Sequence, residues 1–291
     1  MRSKKEIFDL ILSIAKKDAR VRAVVLNGSR ANPNISPDIF QDFDIAFLVD
    51  NLKSIVEDKN WHKQFGEILI MQTPETMNDP APDNNGKFTY LLLFTDGNRI
   101  DLNLIPIEQV STLAHDSLAV PLLDKDHILP KLPEANESSY YPQAPTAKNY
   151  ADCTNEFWWV ATYVAKGLWR QELTYAKAMQ EIIRKQMMKM LTWYLGIKTD
   201  FKKNLGKEGK YFKDYLEDDL WQKLTSTYAN FELEDNWQSL TAMLELMQII
   251  SKKVALDFGF EYPESEDKNV SNYIKHIRSL PQDAKSIFPE D

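Results

Sequence analysis

Cysteine is all but missing from this chain. Cys153 is the only one in 291 residues, which excludes an intramolecular disulfide framework and a cysteine-rich zinc site. Histidine is nearly as scarce, and His62, His115, His127 and His276 are too scattered to suggest a metal cage. Positive charge is in deficit: 35 Lys+Arg stand against 43 Asp+Glu, a formal net charge of −8. A nucleic-acid binder needs a basic face, so that class is disfavoured, while a cationic small-molecule substrate suits the balance. No apolar run approaches the roughly 18 residues of a membrane span. The opening MRSKKEIFDLILSIAKK is charged and broken and carries no cleavage pattern, so the expected location is the cytoplasm. There is no G-x-G-x-x-G and no P-loop lysine motif, so neither a Rossmann dinucleotide site nor a Walker NTPase is supported. Nor is there an internal repeat.

Apolar residues make up 43% of the chain, enough for a real core. At roughly 100–200 residues per domain, the length fits one large or two ordinary domains. Ile7, Leu10, Ile11 and Ile14 recur at helical spacing and predict an amphipathic first helix. Arg22 to Leu26 is a strand that stops at the turn Asn27-Gly28-Ser29. Residues 40–49, 67–71, 88–94 and 99–105 read as further strands, the last two as a hairpin around Asp96-Gly97-Asn98. Residues 73–87 are dense in Pro, Asn, Asp and Gly and predict a long surface loop, a candidate flap over a site. Pro130, Pro133, Pro142 and Pro145 mark a boundary between a first domain over 1–135 and a second over 146–291. The second has long helical patterns over 147–170, 173–195 and 236–257 and reads as a helical bundle; the tail beyond about Gly259 has weak periodicity.

The chemistry is carried by carboxylates. In a strand, residues i and i+2 share a face, so Asp42 and Asp44 point one way while Phe43, Ile45 and Phe47 point to the core. Adjacent carboxylates repel unless a cation sits between them. Oxygen-only ligands suit Mg²⁺, which takes substrate phosphates as further ligands. Asp101 alternates in the same way with Ile100, Leu102 and Leu104, and strand pairing could bring it beside the other two. Three carboxylates around two metals is a usual arrangement for in-line displacement at a phosphate. Gly28 and Ser29 add a turn whose backbone N–H groups and hydroxyl can approach a phosphate, and Arg30 a fork for its oxygens.

Gly28-Ser29, the spacer, Asp42-x-Asp44 and Asp101 resemble the polymerase-β-like nucleotidyltransferase superfamily. The finer resemblance is to aminoglycoside 6-adenylyltransferases, the streptomycin-modifying enzymes. It is carried by Gly28-Ser29-Arg30-Ala31-Asn32, Phe40-Gln41-Asp42-Phe43-Asp44-Ile45, Ile100 to Pro106, Leu123-Asp124-Lys125-Asp126 and Asn155-Glu156-Phe157-Trp158, and runs to about residue 275. Two stretches depart from the family pattern. Asn27 stands where the family has Glu, and Gly206-Lys207-Glu208-Gly209-Lys210-Tyr211-Phe212 carries an extra residue within its Gly-Lys-x-Tyr-Lys segment.

The resemblance implies an α+β architecture: a nucleotidyltransferase domain with a mixed β-sheet flanked by helices, then an α-helical domain. It implies transfer of AMP from Mg²⁺-ATP to a streptomycin hydroxyl, the 6-position, with pyrophosphate leaving. In that reading Asp42 and Asp44 hold the metals, and Asp101 is either a further ligand or the general base. Mg²⁺-ATP is expected on the sheet side of a cleft between the domains and the polycationic drug on the acidic helical side. Gly28, Ser29 and Arg30 are then nucleotide-binding. Lys207 and Lys210 either sit in a solvated lysine-rich loop or reach the triphosphate, a task for which Lys166 is a second candidate. Asp152 and Glu156, four apart at the start of a helix, are candidate partners for the drug's guanidinium groups, or else acidic residues placed by the helix dipole. Trp158 beside them is either a drug platform or core. The rival readings are an enzyme of the same superfamily with another acceptor, and a non-enzymatic antitoxin-like interaction protein; the three facing carboxylates speak against the latter.

Overall fold

Ser3 opens the first helix. Its hydroxyl accepts the Glu6 N–H while the Glu6 carboxylate accepts the Ser3 N–H, a reciprocal cap that fixes the start of α1, Lys4–Lys17. The helix buries Ile7, Ile11, Ile14 and Ala15, the apolar stripe its periodicity predicts. The structure, a computed structural model, describes residues 1–83 and 85–288. Residue 84 of the 73–87 loop and residues 289–291 of the 146–291 range lie outside the described residues.

Six strands follow α1: β1 Val21–Asn27, β2 Phe43–Val49, β3 Ile68–Gln72, β4 Phe88–Phe94, β5 Arg99–Pro106 and β6 Val120–Asp124, with a short helix α2, Leu52–Glu57, after β2. They form one sheet in the order β3-β4-β5-β2-β1-β6. β2 and β5 are parallel and every other pair is antiparallel, so the sheet is mixed. The hairpin of 88–94 with 99–105 is present as β4 and β5. β6 escapes the sequence reading because Pro121 interrupts it; on an edge strand the missing donor costs no ladder bond.

Both faces of the sheet carry core. Phe43, Ile45, Phe47, Ile100, Leu102 and Leu104 pack on the α1 side. Ala46 and Leu48 pack on the other face with Ala23, Val25, Leu113 and Ala119. Asp44 and Asp101 share that second face, beyond the end of its apolar cover.

The chain divides into two compact units, Met1–Ser139 and Tyr140–Asp291. The second contains α3 Ala147–Trp169, α4 Leu173–Lys198, α5 Asp218–Ser226, α6 Leu233–Phe258 and α7 Glu264–Ser279. Its core draws on the expected stripes of α3, α4 and α6, including Phe157, Val164, Ile183, Met187, Leu240 and Met247. The weak periodicity past Gly259 nonetheless yields α7, whose buried residues are only Asp267, Ile274 and Ile277. A helix covered by so narrow an apolar stripe leaves little periodic signal.

Candidate active site

Strand register assembles the carboxylates. In the parallel pair, Phe43 stands beside Ile100 and Asp44 beside Asp101. Asp42, one residue ahead of β2, therefore comes level with Arg99 at the start of β5, and Arg99 Nη1 lies 3.6 Å from Asp42 Oδ2. The strand expected from residue 40 begins only at Phe43, because Arg30 ties the preceding backbone: its Nε donates to the Asp42 carbonyl at 2.9 Å and its Nη2 to the Gln41 carbonyl at 2.6 Å. The result is a square of charge, three carboxylates and one guanidinium, at one end of two adjacent strands.

On the other side of β2, Asn27 of β1 pairs with Asp44. Gly28 follows with φ +68°, and a Cβ at this position would come within 2.1 Å of Asp44 Oδ2. A side chain here is excluded twice over, by the left-handed backbone and by the carboxylate lying against the turn. Asn27 donates from Nδ2 to Asp116 Oδ2 at 2.8 Å. The position that departs from the family pattern is thus used in a bond to a carboxylate, which a Glu could make only when protonated.

Burial raises Asp44 to about 6, and the negative charges of Asp101 and Asp42 push in the same direction. Asp42 is raised for the same leading reason, burial, with Asp101 adding repulsion and Arg99 opposing it. Both groups are poorly stabilised as anions, so a cation placed among them relieves both. Among the described residues, no three His, Cys, Asp or Glu side chains stand close enough to enclose a metal ion as they are arranged. Asp101 is turned to Arg99, whose Nε and Nη2 donate to its two oxygens at 2.7 Å each. The donor chemistry, oxygens only and electrostatically strained, nevertheless fits a hard divalent cation.

Beside Asp44 and Asp101 opens a cavity of about 300 Å³. Glu75, Asp83 and Asn85 of the 73–87 loop line it, together with Lys87, Thr89, Leu91 and Asn103. The predicted flap is thus a wall of the site. Glu75 anchors it, accepting the Thr89 N–H and hydroxyl at 2.9 Å each. Arg99, Glu75, Lys87 and Asn103 were not singled out from the sequence. Arg99 had a signal, the i, i+2 spacing to Asp101; Asn103 shares it. Glu75 had none beyond its loop.

The other candidates fall in diverse places. Ser29 is half-buried in the 3₁₀ turn Gly28–Ala31, and its hydroxyl makes no hydrogen bond among the described residues. Arg30 has two of its N–H groups spent on backbone carbonyls and stacks 3.8 Å from the Phe43 ring centroid. In the helical unit, Lys166 is half-buried with Nζ 4.8 Å from the Tyr163 ring centroid. Lys207 and Lys210 are exposed on the loop after α4. Asp152 and Glu156 are exposed on α3, and Asp152 is ion-paired with Lys148. Trp158 takes the core alternative of its two sequence readings. It is 1% exposed and packs edge-to-face on Phe157 inside the helical core, out of reach of a ligand at the surface.

Comparison with known proteins adds independent information. The sequence model of the streptomycin adenylyltransferase family matches residues 1–277. An aminoglycoside 6-adenylyltransferase of Campylobacter jejuni is 43% identical over 276 residues, 94% of this chain and 95% of that protein. One of Bacillus subtilis (strain 168) is 38% identical over 280 residues, 95% of this chain and 98% of that protein. A crystal structure of an aminoglycoside 6-adenyltransferase from Bacillus subtilis is similar at 34% identity, covering 96% of this chain and 100% of that one, with a TM-score of 0.48.

Proposed function

The chain belongs to the streptomycin adenylyltransferase family and is an adenylyltransferase, and from that premise we propose that it transfers AMP from ATP to the 6-hydroxyl of streptomycin in a Mg²⁺-dependent reaction. A bond forms between the acceptor oxygen and the α-phosphorus, the bond from that phosphorus to the bridging oxygen breaks, and pyrophosphate leaves. The hydroxyl proton is lost to a base.

The observation that carries this reading is the register that sets Asp44 beside Asp101 with Asp42 one step away. Asp42, Asp44 and Asp101 would hold the metal, which supplies charge neutralisation at the phosphates when bound. The protein's own work is positioning. Gly28 leaves room for the Asp44 carboxylate. Ser29 offers an unspent hydroxyl to a phosphate oxygen. Arg30 fixes the backbone that carries Asp42. Lys166, Lys207 and Lys210 are the candidate ammonium groups for the triphosphate. A polycationic acceptor is supported by the cavity beside Asp44 and Asp101, where Glu75 and Asp83 add two carboxylates against Lys87. Asp152 and Glu156 add exposed counter-charge on α3.

The test is a panel. The protein is incubated with Mg²⁺ and ATP labelled at the α-phosphate, together with streptomycin, other aminoglycosides, tRNA or protein. Label on streptomycin with equimolar pyrophosphate is the expected result; label on another acceptor alone refutes the acceptor assignment. Asp101→Asn separates its two roles. A variant that still binds Mn²⁺ without turnover assigns Asp101 to the proton, and one that no longer binds Mn²⁺ assigns it to the metal.

A further inference from the structure

Arg99 has no part in the reaction as proposed, yet it lies across the carboxylates. It sits two residues before Asp101 on the same face of β5, and level with Asp42 across the parallel pair. Its fork takes both oxygens of Asp101 at 2.7 Å, and Nη1 reaches to 3.6 Å from Asp42 Oδ2. A guanidinium keeps its charge at any working pH, so it is a permanent cation in a corner that repels every extra anion. Its stem is not locked: the Arg99 side chain is 43% exposed, against 17% for Asp101. A guanidinium forked onto Asp101 and a divalent ion held by the same carboxylate are like charges at short range, and each weakens the other's hold.

The geometry points to Arg99 as a built-in counter-cation that holds Asp42 and Asp101 together and must swing away for a divalent metal to bind. The inference rests on the metal-dependent reading proposed above. It makes Arg99 a positioning residue that competes with the metal, and it differs from a plain structural ion pair in one respect. Removing a structural pair leaves Asp101 misaligned and weakens metal binding; removing a competitor strengthens it.

The test measures Mn²⁺ binding by calorimetry and by electron paramagnetic resonance, in the full chain without nucleotide, with melting temperatures taken in EDTA and in saturating Mn²⁺. Arg99→Gln is expected to bind Mn²⁺ about tenfold more tightly than the parent, the scale of losing a bidentate charged contact. Its melting temperature should be lower than the parent's in EDTA, and the gap should close in Mn²⁺. Arg99→Lys keeps the charge and loses the fork, so it should fall between, and it answers the question if the glutamine variant does not fold. Arg22→Gln removes the same charge from a fork on Asp126 elsewhere in the sheet unit, and should leave Mn²⁺ affinity unchanged. The inference is overturned if Arg99→Gln binds Mn²⁺ no more tightly than the parent, or if Arg22→Gln gains as much. Asp101→Asn and Asp44→Asn separate the two readings. If neither changes Mn²⁺ binding, the metal assignment itself fails; if they abolish it while Arg99→Gln gains nothing, the metal assignment stands and the role given to Arg99 falls.

Discussion

The acidic residues of the sheet corner and those of α3 have the same chemistry in opposite settings. Asp44 is held against Gly28 and beside Asp101, and its ionisation is opposed by burial and by its neighbours. Asp152 and Glu156 project into solvent from α3, and Asp152 is matched to a lysine one turn away. Even with Arg99 in the corner, the ionised Asp44 works against the stability of the folded chain, and a further cation beside it would relieve that cost. The second setting costs nothing, and solvent and salt screen whatever it contributes. Carboxylates kept together against their own repulsion mark a place built for a ligand; exposed ones beyond the first turn of a helix, one of them paired to a lysine, mark a solvated face unless binding shows otherwise.

The two settings differ most at Asp44. Asp44→Asn should lower AMP transfer by about 10³-fold or more, yet raise the melting temperature of the metal-free protein. The pH dependence has a definite sign. Folding raises Asp44 from 3.8 to about 6. The protonated form is therefore favoured in the fold, and stability present below about pH 4 is lost as pH climbs through 6. At pH 7 the ionised group destabilises by about 3 kcal/mol, at 1.36 kcal/mol per unit of that interval. In EDTA, the difference in stability between Asp44→Asn and the parent should be small at pH 4 and grow to pH 7; a flat difference would remove the buried-anion account.

Gly28→Ala is the next largest. It forces a Cβ into Asp44 Oδ2 at a φ of +68°, and should cost about 1–3 kcal/mol of stability and slow transfer by displacing the carboxylate. Chemical denaturation and turnover measured on one preparation check this, and unchanged turnover would mean that Asp44 need not lie where it does. Arg30→Gln removes the fork from the Asp42 and Gln41 carbonyls and the stacking on Phe43. We expect about 1–2 kcal/mol of lost stability with the KM for ATP changed less than about threefold. A large rise in that KM with an unchanged melting temperature would instead place the guanidinium on a phosphate. The smallest effect belongs to α3. The double change Asp152→Asn with Glu156→Gln should leave the melting temperature unaltered and weaken streptomycin binding by at most about fivefold, as for exposed, screened charges. A larger loss that fades with added salt would promote this face of α3 from solvated surface to acceptor contact.

How much of this was legible in the sequence follows from the elements involved. The strand alternation of Asp42-Phe43-Asp44 and Ile100-Asp101-Leu102 fixes which side chains share a face, so the carboxylates could be named before any pairing was known. The parallel pairing of β2 with β5 joins segments some 57 residues apart, Asp44 and Asp101, and only the fold supplies it. A lone arginine at the start of β5 reads as solvated in the sequence; a fork beside a glycine turn suits a phosphate, and the sequence does not reveal that the Asp42 and Gln41 carbonyls take two of the Arg30 N–H groups. Helical periodicity identified the cores of α3, α4 and α6 but could not say whether Trp158 faced a ligand or a neighbour, since a large aromatic on the apolar stripe suits both. It faces Phe157. The narrow stripe of α7 fell below what periodicity can detect.

The proposed reaction, metal-dependent transfer of AMP to streptomycin at the corner of Asp42, Asp44 and Asp101, yields two phosphorus-bearing products. Phosphorus nuclear magnetic resonance tests it most directly, following ATP, streptomycin and Mg²⁺ with the parent protein, with Asp44→Asn, and with the parent in excess EDTA. The expected result is a phosphodiester resonance and an equal amount of pyrophosphate with the parent and Mg²⁺, and neither product in the other two samples. Phosphodiester formed at the parental rate by Asp44→Asn, or in EDTA, would contradict it.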